Sequence, residues 1–89
     1  MTNELNKLRK EIESIDRKIT LLFVDRMDVV TKISEIKKEM NLEISDPERE
    51  KYLIDTNSSY ITDEVIRNYF KRLYNEILKI SKEYQKDGK

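Results

Sequence analysis

Arg26 and Lys37 lie eleven residues apart, three turns of a helix, so their side chains leave one face about 16 Å apart along the axis. Long basic side chains leaning toward each other can grip one small anion. Arg9, seventeen residues before Arg26, falls roughly 25 Å away and about 100° round the same helix. It cannot join that pair within one chain. Near the other end, Ser81 and Gln85 stand four apart and offer a hydroxyl and an amide on one helix face. Asp46, Glu48 and Glu50 cluster between these groups. The chain has no His and no Cys, which removes the commonest general base, the thiol nucleophile and the usual zinc and copper ligands. The chemistry left open is recognition of a small anion, with catalysis by positioning and fixed charge. Neither a metal nor a cofactor is expected.

Most of these residues have a plainer account. Lys37 beside Lys38 suits a solvated surface lysine, and Arg9 in Leu-Arg-Lys-Glu suits a surface ion pair. Ser81 and Gln85 fit the polar flank of a terminal helix. Asp46 is placed to cap a helix, and Glu50 one turn later suits an exposed glutamate. Arg26 is different, because of where it falls.

From Leu5, alternating steps of three and four give Leu8, Ile12, Ile15, Ile19, Leu22, Arg26, Val29, Ile33, Ile36 and Met40. Ten of these eleven positions are aliphatic or Met. A 3-4 repeat of this length makes one face of a long helix that packs against another helix. A cation in that face costs several kcal/mol, in order of magnitude about 3–5, unless an anion meets it. Asp25 and Asp28 point off the face and are poor partners for Arg26.

The elements that must position these residues are three helices. The first runs from about Asn3 to about Met40, with Asn41 as its stop. A connector, Leu42-Glu43-Ile44-Ser45, leads to Asp46 (or Ser45) as N-cap and Pro47 in the first turn. The second helix spans about Pro47 to Asn57, with Tyr52, Leu53 and Ile54 turned inward. After a connector from Ser58 to Ile61, Thr62 reads as the next N-cap with Asp63-Glu64 as an acidic first turn. The third helix, about 63–86, carries Ile66, Phe70, Leu73, Ile77, Ile80 and Tyr84 and ends before Asp87-Gly88.

Composition agrees with an all-α fold. Among 89 residues, 37% are hydrophobic and 40% charged, with one Gly and one Pro, which suits a single small domain of few, long helices. Lys plus Arg equals Asp plus Glu at 18 each, so no bulk field favours nucleic acid or an anionic membrane. The longest apolar run, Ile19 to Val24 broken by Thr20, is too short to span a bilayer. Met-Thr-Asn-Glu lacks the features of a secretion signal, and the expected location is cytoplasmic.

A helix from residue 3 to 40 extends roughly 55 Å, whereas a compact chain of this size has a radius of gyration of only about 12 Å. A homodimer with antiparallel long helices covers the projecting seam, and two-fold dimers are the commonest oligomers. With the axis near residue 21, Arg9 of the partner subunit falls level with residue 33, between Arg26 and Lys37. Two symmetric cation clusters result, suited to a dianionic small molecule.

Several segments in order, Leu8-Arg9-Lys10-Glu11-Ile12, Ile15-Asp16, Leu21-Leu22 through Asp25-Arg26-Met27, Ile36-Lys37-Lys38, Asp46-Pro47-Glu48-Arg49-Glu50-Lys51 and Ile80-Ser81-Lys82-Glu83-Tyr84-Gln85, resemble the all-helical AroQ class of chorismate mutases. The resemblance covers nearly the whole chain, and the length resembles that of stand-alone members. It implies one mutase domain over residues 1–89, an intertwined helical homodimer, and conversion of chorismate to prephenate on the route to phenylalanine and tyrosine. It further implies that Arg26 and Arg9 of the partner subunit hold the two substrate carboxylates, with Ser81 assisting. Lys37 and Gln85 would hydrogen-bond the ether oxygen of the breaking bond. Asp46, through its backbone, and Glu50 would meet the ring hydroxyl, and Arg49 would support the site. Ser34 stands where the family often has Gly or Ala. A helix-3 register shifted by one turn would instead put Ile77 and Ser81 in the roles given to Ser81 and Gln85, leaving the ether oxygen without its amide. Two other functions remain open: an isochorismate–pyruvate lyase on the same scaffold, and a non-catalytic helical dimer.

Overall fold

The computed structural model describes residues 2–88 and contains three α-helices: α1, Thr2–Glu39; α2, Pro47–Ser58; and α3, Glu64–Lys86. The all-α expectation is met, with boundaries within two residues of those read from the sequence. By compactness the chain divides into two units, one up to Val30 and one from Thr31 onward.

The end of α1 follows from Asn41. Its φ of 58° is the left-handed conformation that Asn tolerates better than most residues. The reversal lets Leu42 N–H donate to the Lys37 carbonyl at 2.8 Å and Asn41 N–H to that of Lys38 at 3.2 Å. These two bonds satisfy carbonyls that the helix end would otherwise leave open, in a Schellman arrangement.

At α2 the expected cap is present: the Asp46 side chain accepts from Arg49 N–H at 3.2 Å, with Pro47 in the first turn. At α3 the cap is Asp63, one residue later than the Thr62 read from sequence, and its carboxylate accepts from Ile66 N–H at 3.0 Å. A charged acceptor bonds and offsets the helix dipole together, which a hydroxyl does less well. Arg67 then braces the turn, donating through Nε to the Ile61 carbonyl at 2.9 Å and through Nη2 to that of Thr62 at 3.1 Å.

Two apolar faces depart in part from expectation. On α3 the buried residues are Tyr74, Leu78, Ser81 and Gln85; of the expected stripe Phe70, Ile77 and Tyr84 are half-buried, and Ile66, Leu73 and Ile80 are exposed. The covered face includes two polar residues, so a stripe drawn by hydropathy alone lands partly on its neighbour. On α2, Leu53 and Ile54 are half-buried but Tyr52 is exposed, its ring carrying the Arg49 guanidinium 5.1 Å from the centroid. Helix α2 packs on α3.

On α1 the apolar seam is uncovered within the chain. In the first unit Leu5, Leu8, Ile12, Ile15, Ile19 and Leu22 are 49–65% exposed. In the second, Ile33, Ile36 and Met40 are exposed too, while Thr31 and Lys37 are half-buried and Ser34 is buried. The face of α1 that its own chain covers from Thr31 on is therefore a neighbour of the seam. Thr31 reaches α3 directly, its Oγ1 3.4 Å from the Tyr84 hydroxyl. No helix among the described residues is long and apolar enough to cross a membrane.

Candidate active site

Six of the eight residues singled out from the sequence belong to the unit from Thr31 onward. Lys37 is half-buried, and its Nζ donates to the Ile44 carbonyl at 2.8 Å. It is not a freely solvated lysine. Its backbone carbonyl closes the end of α1 while its ammonium holds the connector, so one residue fixes the path of residues 42–46 from both sides. An ammonium has three donors, and this bond leaves hydrogens for other acceptors.

Ser81 and Gln85 are 5% and 7% exposed, which disposes of the polar-flank account. The Ser81 hydroxyl donates to the Ile77 carbonyl at 2.8 Å, and Gln85 Nε2 donates to the Ser81 carbonyl at 3.4 Å. Gln85 Oε1 is buried and has no hydrogen-bond partner. An unmet buried acceptor costs about 1–3 kcal/mol, so Gln85 is buried against a local cost.

Asp46 is exposed and Glu50 half-buried. The Asp46 carboxylate is engaged as the α2 cap, and its backbone carbonyl accepts from Glu50 N–H at 3.0 Å. Glu50 Oε1 meets Lys82 Nζ at 3.1 Å, a bridge from α2 to α3. Sequence reasoning passed over Lys82. Thirty-two residues separate the two, and only the packing of α2 on α3 pairs them. Arg49 is exposed, and its guanidinium stacks on Tyr52.

Arg9 and Arg26 belong to the unit ending at Val30. Arg9 is exposed; Arg26 is half-buried on its helix. An open depression of about 620 Å³ on α3, lined by Tyr69, Arg72, Leu73, Asn75 and Glu76, contains none of the eight. Among the described residues no group of acidic side chains is placed to hold a metal.

The comparisons with known proteins agree with one another. Residues 8–86 match the family Chorismate mutase type II. The chain is 42% identical over 55 residues to the chorismate mutase of Methanocaldococcus jannaschii, covering 62% of this chain and 56% of that one. It is 44% identical over 52 residues to the bifunctional chorismate mutase/prephenate dehydratase of Aquifex aeolicus, covering 58% of this chain and 14% of the relative. To the T-protein of Haemophilus influenzae it is 29% identical over 79 residues, 79% of this chain and 21% of the relative. The chain thus spans little more than half the length of the first of these relatives and a smaller part of the others. With the match running almost from end to end of three helices, the chain belongs to the chorismate mutase type II family.

Proposed function

We propose that residues 1–89 act as one chorismate mutase domain, which rearranges chorismate to prephenate in a cytoplasmic homodimer. Beyond family membership, the observation that carries this reading is Gln85, a buried amide beside buried Ser81 whose Nε2 makes one hydrogen bond within the chain. One Nε2 hydrogen is donated to Ser81, and an amide nitrogen carries two. In this reading the second goes to the ether oxygen of the substrate.

The reaction is intramolecular: the ether C–O bond breaks as a new C–C bond forms, and no proton, electron or co-reactant enters. A site without His or Cys is suited to it. The protein has two tasks. One is to hold the compact reactive conformer, which can supply several kcal/mol, about 7–11 at the upper end. Arg26 and Arg9 of the partner subunit would do this at the two carboxylates, with Ser81 assisting. The other is to meet negative charge growing on the ether oxygen with donors already in place. Lys37 and Gln85 are assigned that role, and Lys37 is held in place by Ile44. Glu50 and the Asp46 backbone would receive the ring hydroxyl, and Arg49 would support them.

The dimer reading is supported by the exposed α1 seam, apolar at ten of eleven positions. Antiparallel pairing would cover it and bring Arg9 of the partner subunit to the cluster.

Incubating the protein separately with chorismate and with isochorismate tests the proposal. Prephenate should accumulate from chorismate. Pyruvate and salicylate from isochorismate, with no prephenate from chorismate, would establish a lyase instead.

A further inference from the structure

Lys82 follows Ser81 directly and precedes Gln85 by three residues, so the helix turn that buries those two also directs Lys82 toward α2. Its Nζ lies 3.1 Å from Glu50 Oε1, with the side chains 34% and 23% exposed respectively. At that degree of exposure an ion pair contributes little to folding. Its larger effect is on order. A glutamate side chain has three rotatable bonds, and fixing it on ligand binding has an entropic cost. A carboxylate tethered through one oxygen has already lost that freedom, and it retains lone pairs with which to accept.

We propose that Lys82 is a positioning residue: by holding Glu50 across the α2–α3 contact, it presets the carboxylate to accept the hydrogen of the substrate's ring hydroxyl. Arg49 and Lys51 flank Glu50 in sequence, yet Arg49 lies over Tyr52 and the bridge to Glu50 is made by Lys82, so the task falls to α3 rather than to α2 itself. The consequence is selectivity. A ligand with the hydroxyl gains from Lys82, and one without it does not.

This rests on the mutase reading, and the experiment separates the two. The probes are two bicyclic dicarboxylates shaped like the transition state of the rearrangement, one bearing the hydroxyl and one lacking it. Their dissociation constants are measured by calorimetry for the wild type, Lys82→Met, Lys82→Arg, Glu50→Gln and the Lys82→Met/Glu50→Gln pair. A hydrogen bond to a charged acceptor predicts that the wild type prefers the hydroxylated probe by about tenfold or more. Lys82→Met should reduce that preference to about twofold or less while binding the other probe normally, and Lys82→Arg should restore it. Added to Glu50→Gln, Lys82→Met should change nothing further, because the two act as one unit. If Lys82→Met keeps the wild-type preference, or lowers only the thermal midpoint, the bridge is structural and the proposal fails. Equal weakening of both probes would make Lys82 a direct contact and overturn it as well. A wild type that binds neither probe and leaves chorismate unchanged refutes the mutase reading itself.

Discussion

Gln85 lies on the covered face of α3 with its amide oxygen unmet, which apolar packing alone leaves unfavourable. If its amide serves the ether oxygen, Gln85→Leu should lower kcat by about 10²–10³, while the urea midpoint holds or rises once the orphaned acceptor is gone. A structural glutamine would show the reverse. Arg26→Ala makes a parallel case: loss of the carboxylate clamp should reduce kcat/KM by about two orders of magnitude or more in a protein that still sediments as the wild type. The spacing of Ser81 and Gln85 was legible in the sequence, but their burial was not. A polar pair on a covered helix face looks the same in one dimension as a polar pair on a wet one. The Lys82–Glu50 bridge was invisible for a related reason, since it is made by the packing of two helices and no local spacing announces it.

At the scale of elements, the termini were the readable part. Asn41, Asp46 and Pro47 each have local requirements, left-handed φ, a side-chain acceptor and a fixed φ without a donor, and all three stand where α1 ends and α2 begins. The α3 cap is Asp63 where the sequence pattern points to Thr62, because both residues qualify and only charge against the dipole separates them. Asp63→Ala should cost about 1 kcal/mol, seen as a lower urea midpoint with kcat unchanged, whereas Thr62→Ala should cost little. Asn41→Val should cost about 1–2 kcal/mol, because a β-branched residue resists φ near +58°. It should also slow turnover, since the same reversal fixes the connector that Lys37 grips.

For the whole molecule, the apolar seam of α1 was evident from its period alone, but the face its own chain uses was not. From Thr31 onward, Ser34 and Lys37 turn inward while Ile33 and Ile36 stay exposed. Hydropathy marks the face intended for the strongest apolar contact, and in this reading that contact is a second copy. Leu22→Glu should therefore shift the protein toward monomer in sedimentation and abolish turnover together, since burying one unpaired carboxylate per chain opposes association. In this reading each site takes Arg26 from one subunit and Arg9 from the other. Arg9→Ala and Arg26→Ala proteins, each nearly inactive alone, are to be unfolded together in equal amounts, refolded and assayed for prephenate. Random pairing into two-fold dimers gives half heterodimers with one intact site each, so about a quarter of wild-type turnover should return. No recovery above the separate mutants, with heterodimer formation verified, would contradict a shared site.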